Sequence, residues 1–330
     1  MTIAVDAMGG DGSPNKIIKG IGIHSKISKN IFYKIFGDKK LIAEALKINN
    51  ITDNYEIIHT DKKIEDTDSA LSAAKRGKDT SMWMAIESVK NKESDIVLSA
   101  GNTGALFVIA KLNFDMIPNI DKPALSGLWP NKNSMNIVLD LGANIECSEK
   151  NLTDFSIMGS ALHKSLFPDE NPKVALLNIG SEELKGNNVI KNTYQTLSNN
   201  KYKLFEFHGY IEGNHIMDGK VNVIVTDGFT GNIALKTAEG TANFITSELK
   251  NALTNNFIGK ISSLINFSNL KAFKNKLDPR QYNGAILLGL DSPVIKSHGS
   301  TDFIGFANSL KMCERIVSGK LIEKIKSNIN

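Results

Sequence analysis

Short apolar runs alternate with amphipathic stretches along almost the whole chain, and this alternation restricts the fold more than any other feature. Residues 3–5, 32–36, 55–59, 96–98, 174–178, 202–208, 221–225 and 285–290 read as strands, each apolar and each bounded by polar or glycine-rich turns. Residues 14–27, 39–48, 81–89, 105–112, 152–166, 188–197 and 233–249 carry helical spacing, and 306–325 closes the chain as one helix. Ser13 is expected to cap the first helix, with Pro14 at its first position. A strand followed by a helix and another strand returns in the same direction, which makes neighbours parallel. The expected class is therefore α/β, a mostly parallel sheet with helices on both faces. Residues 124–129 and 135–139 are the exception. Only a short turn containing Pro130 joins them, so they are expected to pair antiparallel.

Two of the strand-end turns stand out. Ser99-Ala100-Gly101-Asn102-Thr103-Gly104 and Asp227-Gly228-Phe229-Thr230-Gly231-Asn232 each link an apolar strand to a helix. Open α/β sheets bind ligands at the carboxyl ends of their strands. Glycine lets backbone approach an anion closely, and a helix start offers unpaired N–H groups. Asp6-Ala7-Met8-Gly9-Gly10-Asp11-Gly12 has the same character after the first strand, with tight turning as the plainer alternative. Asp140 and Asn144 end another strand, where they either orient a substrate or cap a loop. Lys185, in Asn178-Ile179-Gly180-Ser181-Glu182-Glu183-Leu184-Lys185-Gly186, either binds phosphate and assists a leaving group or is simply solvated. His298, between Lys296 and Gly299, is a candidate acid or hydrogen-bond donor.

Composition narrows the chemistry. With 330 residues and 41% hydrophobic content the chain supports a large core. Length alone permits two domains, but residues 1–330 are read as one. A formal net charge of +4 is too mild for nucleic acid and suits an anionic substrate or an acidic protein partner. Arg76, Arg280 and Arg315 are the only arginines, so anion binding must lean on lysines and backbone amides. Cys147 and Cys313 make neither a disulfide framework nor a metal site, which points to a reducing cytoplasm. Cys147 has no recognisable base beside it and reads as a small buried residue. The chain starts with a strand rather than a signal peptide, and no apolar run approaches the ~20 residues needed to span a bilayer. There is no nucleotide fingerprint. The stretch from Gly213 to Lys220 is one residue too long for a P-loop, and Val221 replaces the Ser or Thr. No metal and no cofactor are expected. Residues 253–277 break the alternation with a stripe of Phe257, Ile258, Ile261, Leu264, Ile265 and Phe273, among lysines such as Lys271, Lys274 and Lys276. They read as a helical hairpin for a dimer interface or a lipid surface.

Taken in order, these motifs, together with Ala175-Leu176-Leu177-Asn178-Ile179-Gly180 and Gln281-Tyr282-Asn283-Gly284-Ala285, resemble those of bacterial phosphate acyltransferase of phospholipid synthesis, the PlsX family. The likeness runs from the first strand to the last helix. It implies acyl transfer from acyl-[acyl-carrier protein] to inorganic phosphate, giving an acyl phosphate consumed by a membrane glycerol-phosphate acyltransferase. It also implies a fold similar to phosphotransacetylase and the isocitrate and isopropylmalate dehydrogenases, a homodimer, and a cytoplasmic protein bound peripherally to membrane. Within that reaction Lys185 is expected to ease thiolate departure, with His298 second. Gly101, Asn102, Thr103, Gly104, Gly228, Thr230, Gly231 and Asn232 would cradle phosphate or the oxyanion, supported by Asp6, Gly9, Gly10, Asp11, Asp140, Asn144 and Asp227. The family loop reads Gly-Glu-Glu where this chain has Gly180-Ser181-Glu182, a departure that leaves Lys185-Gly186 in place. Transfer from acyl-coenzyme A is the alternative enzyme. A decarboxylating dehydrogenase is disfavoured by the scarcity of arginine. A binding module sits poorly with several polar strand-end turns.

Overall fold

The computed structural model describes residues 1–329; Asn330 lies outside the described residues. The chain opens with β1 (Thr2–Asp6), α1 (Asn15–Ile27), β2 (Phe32–Gly37), α2 (Lys39–Ile48) and β3 (Tyr55–His59). Next come α3 (Ala70–Arg76), α4 (Ser81–Lys90), β4 (Ile96–Ser99) and α5 (Thr103–Asn113). The hairpin β5 (Ala124–Pro130) and β6 (Met135–Leu139) is antiparallel as expected, with Pro130 opposite Met135. It leads to α6 (Glu149–Leu166), β7 (Lys173–Asn178), α7 (Asn188–Asn199), β8 (Glu206–Glu212), β9 (Val223–Val225) and α8 (Gly228–Thr254). The rest is α9 (Phe257–Ile265), α10 (Phe267–Lys276), β10 (Ala285–Leu288), β11 (Val294–Lys296), α11 (Phe303–Ser318) and α12 (Leu321–Lys326).

All strands join one 11-stranded sheet in the order β3-β2-β1-β4-β11-β10-β5-β6-β9-β7-β8. Among the named strands, pairing is antiparallel only at the central joints β11–β10, β10–β5 and β5–β6. The set β3 to β11 therefore runs one way and the set β6 to β8 the other. Within each set the neighbours are parallel, as helical crossovers require.

Alternation of side chains across the sheet decides where the core lies. Ile3, Val5, Ile96, Leu98, Ile137, Leu139, Val174 and Leu176 share one continuous apolar cluster, covered by residues of α1, α6 and α11. The other face is divided. Ala4, Val97, Leu287 and Val294 pack under α4 and α5, while Val138, Ala175, Leu177 and Ile224 form a separate cluster. The gap between these clusters falls over the antiparallel centre of the sheet.

Several expectations need correcting. The helix expected over 306–325 breaks at Gly319 and at Lys320, whose φ of 53° is left-handed. The strand expected over 202–208 shifts to β8, because Tyr202 stacks on Phe205 at 4.6 Å between ring centroids instead of extending the sheet. The expected helix 233–249 begins at Gly228 and ends at Thr254, since Asp227 caps it through the Thr230 amide at 2.8 Å. Ser13 does not cap α1; its hydroxyl donates to the Gly9 carbonyl at 2.5 Å. Cys147 is half-buried rather than buried. The short elements α3 and β11 carry too few periodic residues to announce themselves.

Candidate active site

One wall of the site is built where β1, β4 and β11 end side by side. The Asp6 carboxylate is buried and accepts from Ser81 Oγ at 2.7 Å, Ser99 Oγ at 2.6 Å and the Met8 amide at 3.2 Å. Burial pushes its pKa up against the pull of those donors. Asp6 thus braces the turn rather than facing outward. Gly9 lies against the neighbouring turn so closely that a Cβ would stand 2.4 Å from the Gly101 nitrogen. Gly10, at φ 78°, occupies a left-handed position facing the Ala100 and Gly299 carbonyls. Asp11 is exposed, and its amide donates to Gly299 O at 3.0 Å.

Asn102 caps α5, accepting from the Ala105 amide at 3.0 Å and donating to the carbonyls of Asp66 and Asp68. Gly101 N donates to Ser99 Oγ at 3.0 Å. The amides of Thr103 and Gly104 make no hydrogen bond among the described residues. They are open donors at a helix start.

The opposite wall comes from the other half of the sheet. Asp140 is buried and accepts from Leu125 N and Ala143 N at 3.0 Å, Asn144 N at 2.7 Å and Asn144 Nδ2 at 2.8 Å. Burial raises its pKa while these donors oppose the rise. Asn144 Nδ2 also donates to Pro123 O at 2.7 Å. This loop rests on the start of α8: Gly228 N donates to Asn144 O at 2.8 Å, and Asn232 Nδ2 to Leu141 O at 3.2 Å. A Cβ on Gly231 would overlap Asp140 O at 1.9 Å. The amides of Gly228, Thr230 and Gly231 are consumed inside the protein, and Thr230 Oγ1 donates to Asp227 at 2.8 Å. The two glycine-rich turns, alike in sequence, therefore differ. The turn before α5 keeps the Thr103 and Gly104 amides open, whereas the turn before α8 spends that of Gly228 on the Asn144 loop and those of Thr230 and Gly231 on its own Asp227 cap.

Between the walls lies a cavity of about 350 Å³. Leu106, Phe107 and Val108 of α5, with Leu125, Leu287 and Val294 from the sheet, give it an apolar lining. Ala70, Thr103, Gly104, Gly142, Ala143 and Lys296 complete it. The cavity thus fills the gap between the two clusters on the divided face. Burial lowers the Lys296 pKa to about 8. His298 follows on the rim and is exposed, with its amide donating to Asn283 Oδ1 at 2.9 Å. Its pKa is lowered by partial burial and by Lys296, with Lys236 of α8 adding to the effect and Glu239 of α8 opposing it.

Lys185 stands apart from this set. It is exposed on the loop after β7, where its carbonyl accepts from Asn178 Nδ2 at 3.1 Å. Leu176 pairs with Val225, so this loop leaves the sheet beside the start of α8. Cys147 lies near Asp140 and Asp227. Burial, with those charges, pushes its thiol up to about 11, so it is no nucleophile at neutral pH. Sequence reasoning missed Ser81, which no motif announces, gave no role to Ser99 although it opens one of the two glycine-rich turns, and left Lys16 and Lys296 unassigned among abundant lysines. Among the described residues no cluster of three His, Cys, Asp or Glu is placed to hold a metal ion.

The fold defines the class first. A phosphotransacetylase from Staphylococcus aureus superposes with a TM-score of 0.62 at 15% identity, covering 97% of this chain and 94% of that one. A branched-chain phosphotransacylase from Enterococcus faecalis V583 superposes at 0.60 and 12% identity, covering 96% and 99%. The architecture is that of the phosphotransacetylases. Sequence carries the assignment further. A family model described as fatty acid synthesis protein matches residues 1–324. The phosphate acyltransferase of Pelagibacter ubique strain HTCC1062 is 70% identical over 328 residues, 99% of this chain and 98% of that protein. The phosphate acyltransferase of Parvibaculum lavamentivorans is 42% identical over 332 residues, 100% of this chain and 92% of that protein. The chain belongs to the phosphate acyltransferase (PlsX) family and is an acyltransferase.

Proposed function

We propose that this acyltransferase moves a long-chain fatty acyl group from acyl-[acyl-carrier protein] to inorganic phosphate, yielding acyl phosphate for phosphatidic acid and phospholipid synthesis. What carries this reading is the two-sided character of the cavity. Leu106, Phe107, Val108, Leu125, Leu287 and Val294 suit an acyl chain, while Lys296 and the open amides of Thr103 and Gly104 suit an anion. Ionised phosphate is already a nucleophile, so the scheme requires no protein nucleophile, metal or nucleotide. A phosphate oxygen attacks the thioester carbonyl carbon, and the carbonyl electron pair moves onto its oxygen. The tetrahedral intermediate collapses, the C–S bond breaks, and the phosphopantetheine thiolate leaves and takes up a proton. The enzyme's task is positioning and oxyanion stabilisation.

The Thr103 and Gly104 amides are suited to the oxyanion. In His298, Nδ1 accepts from the Ser300 amide at 3.3 Å, which leaves the proton of the neutral ring on Nε2. Its lowered pKa favours that neutral donor form, fit to hydrogen-bond a developing negative oxygen. Lys185 is assigned to the departing thiolate, reached from the loop beside α8.

The arm formed by α8, α9 and α10 supports the finer partners. Phe257 is 77% exposed, Ile258 79% and Ile265 77%, with Phe244, Ile245 and Leu264 exposed nearby. Lys271, Lys274 and Lys276 follow on α10. Apolar surface on this scale calls for a partner. In this reading Phe244 and Ile245 contribute to a homodimer contact. The tip at α9 and α10 touches anionic lipid and hands product to a membrane glycerol-phosphate acyltransferase. No described helix is long and apolar enough to cross a membrane. Replacing Phe257 and Ile258 together by serine should abolish co-flotation with anionic vesicles while soluble turnover persists; undiminished flotation would reject the lipid contact.

The deciding assay is acyl-phosphate formation with phosphate and either palmitoyl-carrier protein or palmitoyl-coenzyme A. Faster product from the carrier protein is expected. Product only from short acyl-coenzyme A would move the chain to phosphotransacetylase chemistry, and no product from either would sink the proposal.

A further inference from the structure

Two lysines meet where β1, β4 and β11 end, and neither is neutralised by a carboxylate within ion-pair distance among the described residues. Lys16, at the start of α1, donates its ammonium to the Gly299 carbonyl. Lys296, at the end of β11, donates to the Ser297 carbonyl and to Ala100 O at 3.3 Å. Both reach the surroundings of Gly10. A Cβ there would stand 2.8 Å from the Ala100 and Gly299 oxygens and 3.0 Å from Lys16 Nζ. The space a side chain would fill is thus bordered by both lysine head groups or by the carbonyls that hold them. Lys296 also lines the cavity in which the acyl chain is placed.

We propose that Lys16 and Lys296 together form the binding site for the inorganic phosphate acceptor, beside Gly10 at the polar end of the cavity. This deepens the acyl-transfer reading and rests on it for the choice of acceptor. Partly buried ammonium groups satisfied only by neutral carbonyls retain their charge for an incoming dianion. Three facts about the local potential agree. Lys16 helps lower the Lys296 pKa, and both lysines help lower that of His298. Burial lowers Lys16 itself. The acidic groups facing the pair act more weakly than burial. They are Asp11 and Asp66 toward Lys16, and Asp66 and Asp6 toward Lys296. Of these, Asp6 is committed to Ser81 and Ser99, while Asp11 and Asp66 are exposed.

Phosphate can be titrated by calorimetry with no acyl donor present, into the wild type and the Lys16→Met and Lys296→Met variants. Each substitution removes one charge-assisted contact, so affinity should fall by about tenfold or more in each. Near pH 8 a bound dianion should draw a proton onto Lys296, so the binding heat should vary with buffer ionisation in the wild type but not in Lys296→Met. Lys19→Met serves as the control, because Lys19 sits over the Phe303 ring, 3.7 Å from its centroid. Unchanged phosphate affinity in folded variants would overturn the site. So would variants that raise KM for the acyl donor and not for phosphate, since the lysines would then hold the phosphodiester of the phosphopantetheine arm. If Lys296→Met does not fold, Lys16→Met decides alone. Because binding is read without the donor, phosphate held by these lysines in a protein inactive in transfer would sink the acyl-transfer reading and leave the site standing.

Discussion

Replacing Gly9 by alanine tests whether the first wall depends on direct backbone contact between two turns. The new Cβ would meet the Gly101 nitrogen at 2.4 Å and its Cα at 2.7 Å. Ordinary contact begins near 3.4 Å, so the turns must part by about 1 Å. Backbone cannot swing aside as a side chain does, and overpacking of this kind costs about 1–3 kcal/mol. The same displacement moves Thr103 and Gly104 away from Lys296, and about 1 Å of misplacement is worth roughly a hundredfold in rate. Gly101→Ala provides the contrast. Its closest obstacle is Met82 Cε at 2.8 Å, the free end of a flexible side chain. Its stability cost should stay under about 1 kcal/mol. Urea melts and acyl-phosphate formation on both variants provide the assay. A Gly9→Ala protein with wild-type midpoint and turnover would refute the reasoning, as would a Gly101→Ala protein less stable than Gly9→Ala.

Other outcomes follow from the charges and the arm. Lys296 loses its proton as pH rises through about 8, so phosphate affinity should decline above that pH in the wild type and lack this step in Lys296→Met. The same lysine binds its proton more weakly when folded than at its ordinary 10.5, so it should make stability rise with pH between about 8 and 10.5. Urea midpoints of wild type and Lys296→Met across that window measure the difference. His163 is fully buried on α6 with both ring nitrogens unpaired; Glu170 approaches to 3.4 Å without completing a hydrogen bond. Burial therefore prevails and holds its pKa at about 4. The unfolded ring takes up protons first as pH falls from 6.5 to 4, which should remove about 3 kcal/mol of stability over that range. His163→Leu should flatten that slope in acid titrations followed by circular dichroism. Gly240→Ala, with nothing within 4 Å of the added methyl, should stabilise α8 by about 0.5–1 kcal/mol in urea melts.

Much of the fold was legible because it depends on local periodicity. Strands β1, β3 and β6 and helix α2 lie within a residue of where their apolar spacing puts them. What escaped depends on contacts distant in sequence. Nothing near Val294-Ile295-Lys296 signals that this run inserts between β4 and β10 at the centre of the sheet. Nor does the sequence reveal that the two similar glycine turns rise from oppositely directed sets of strands. Their difference in free amides depends on Asn144 and Asp227, and only the structure shows which N–H groups are spent. Lys16 illustrates the limit for the site. In a chain rich in lysine its identity carries little information, and its position opposite Gly299, 283 residues away, carries all of it.

The centre of the sheet is completed by some of the last residues of the chain. β10 and β11 lie between β4 and β5, yet they follow nearly every other element in sequence. During synthesis from the amino end, the two oppositely directed strand sets emerge before the pieces that seam them together. Until residues 285–296 arrive, β4 and β5 each present an open edge, the kind of surface that recruits stray strands. The cavity floor at Leu287 and Val294, and the ammonium of Lys296, arrive in the same step. Binding competence and protection from aggregation are thus conferred together and late, so a chain truncated before residue 285 would lack both.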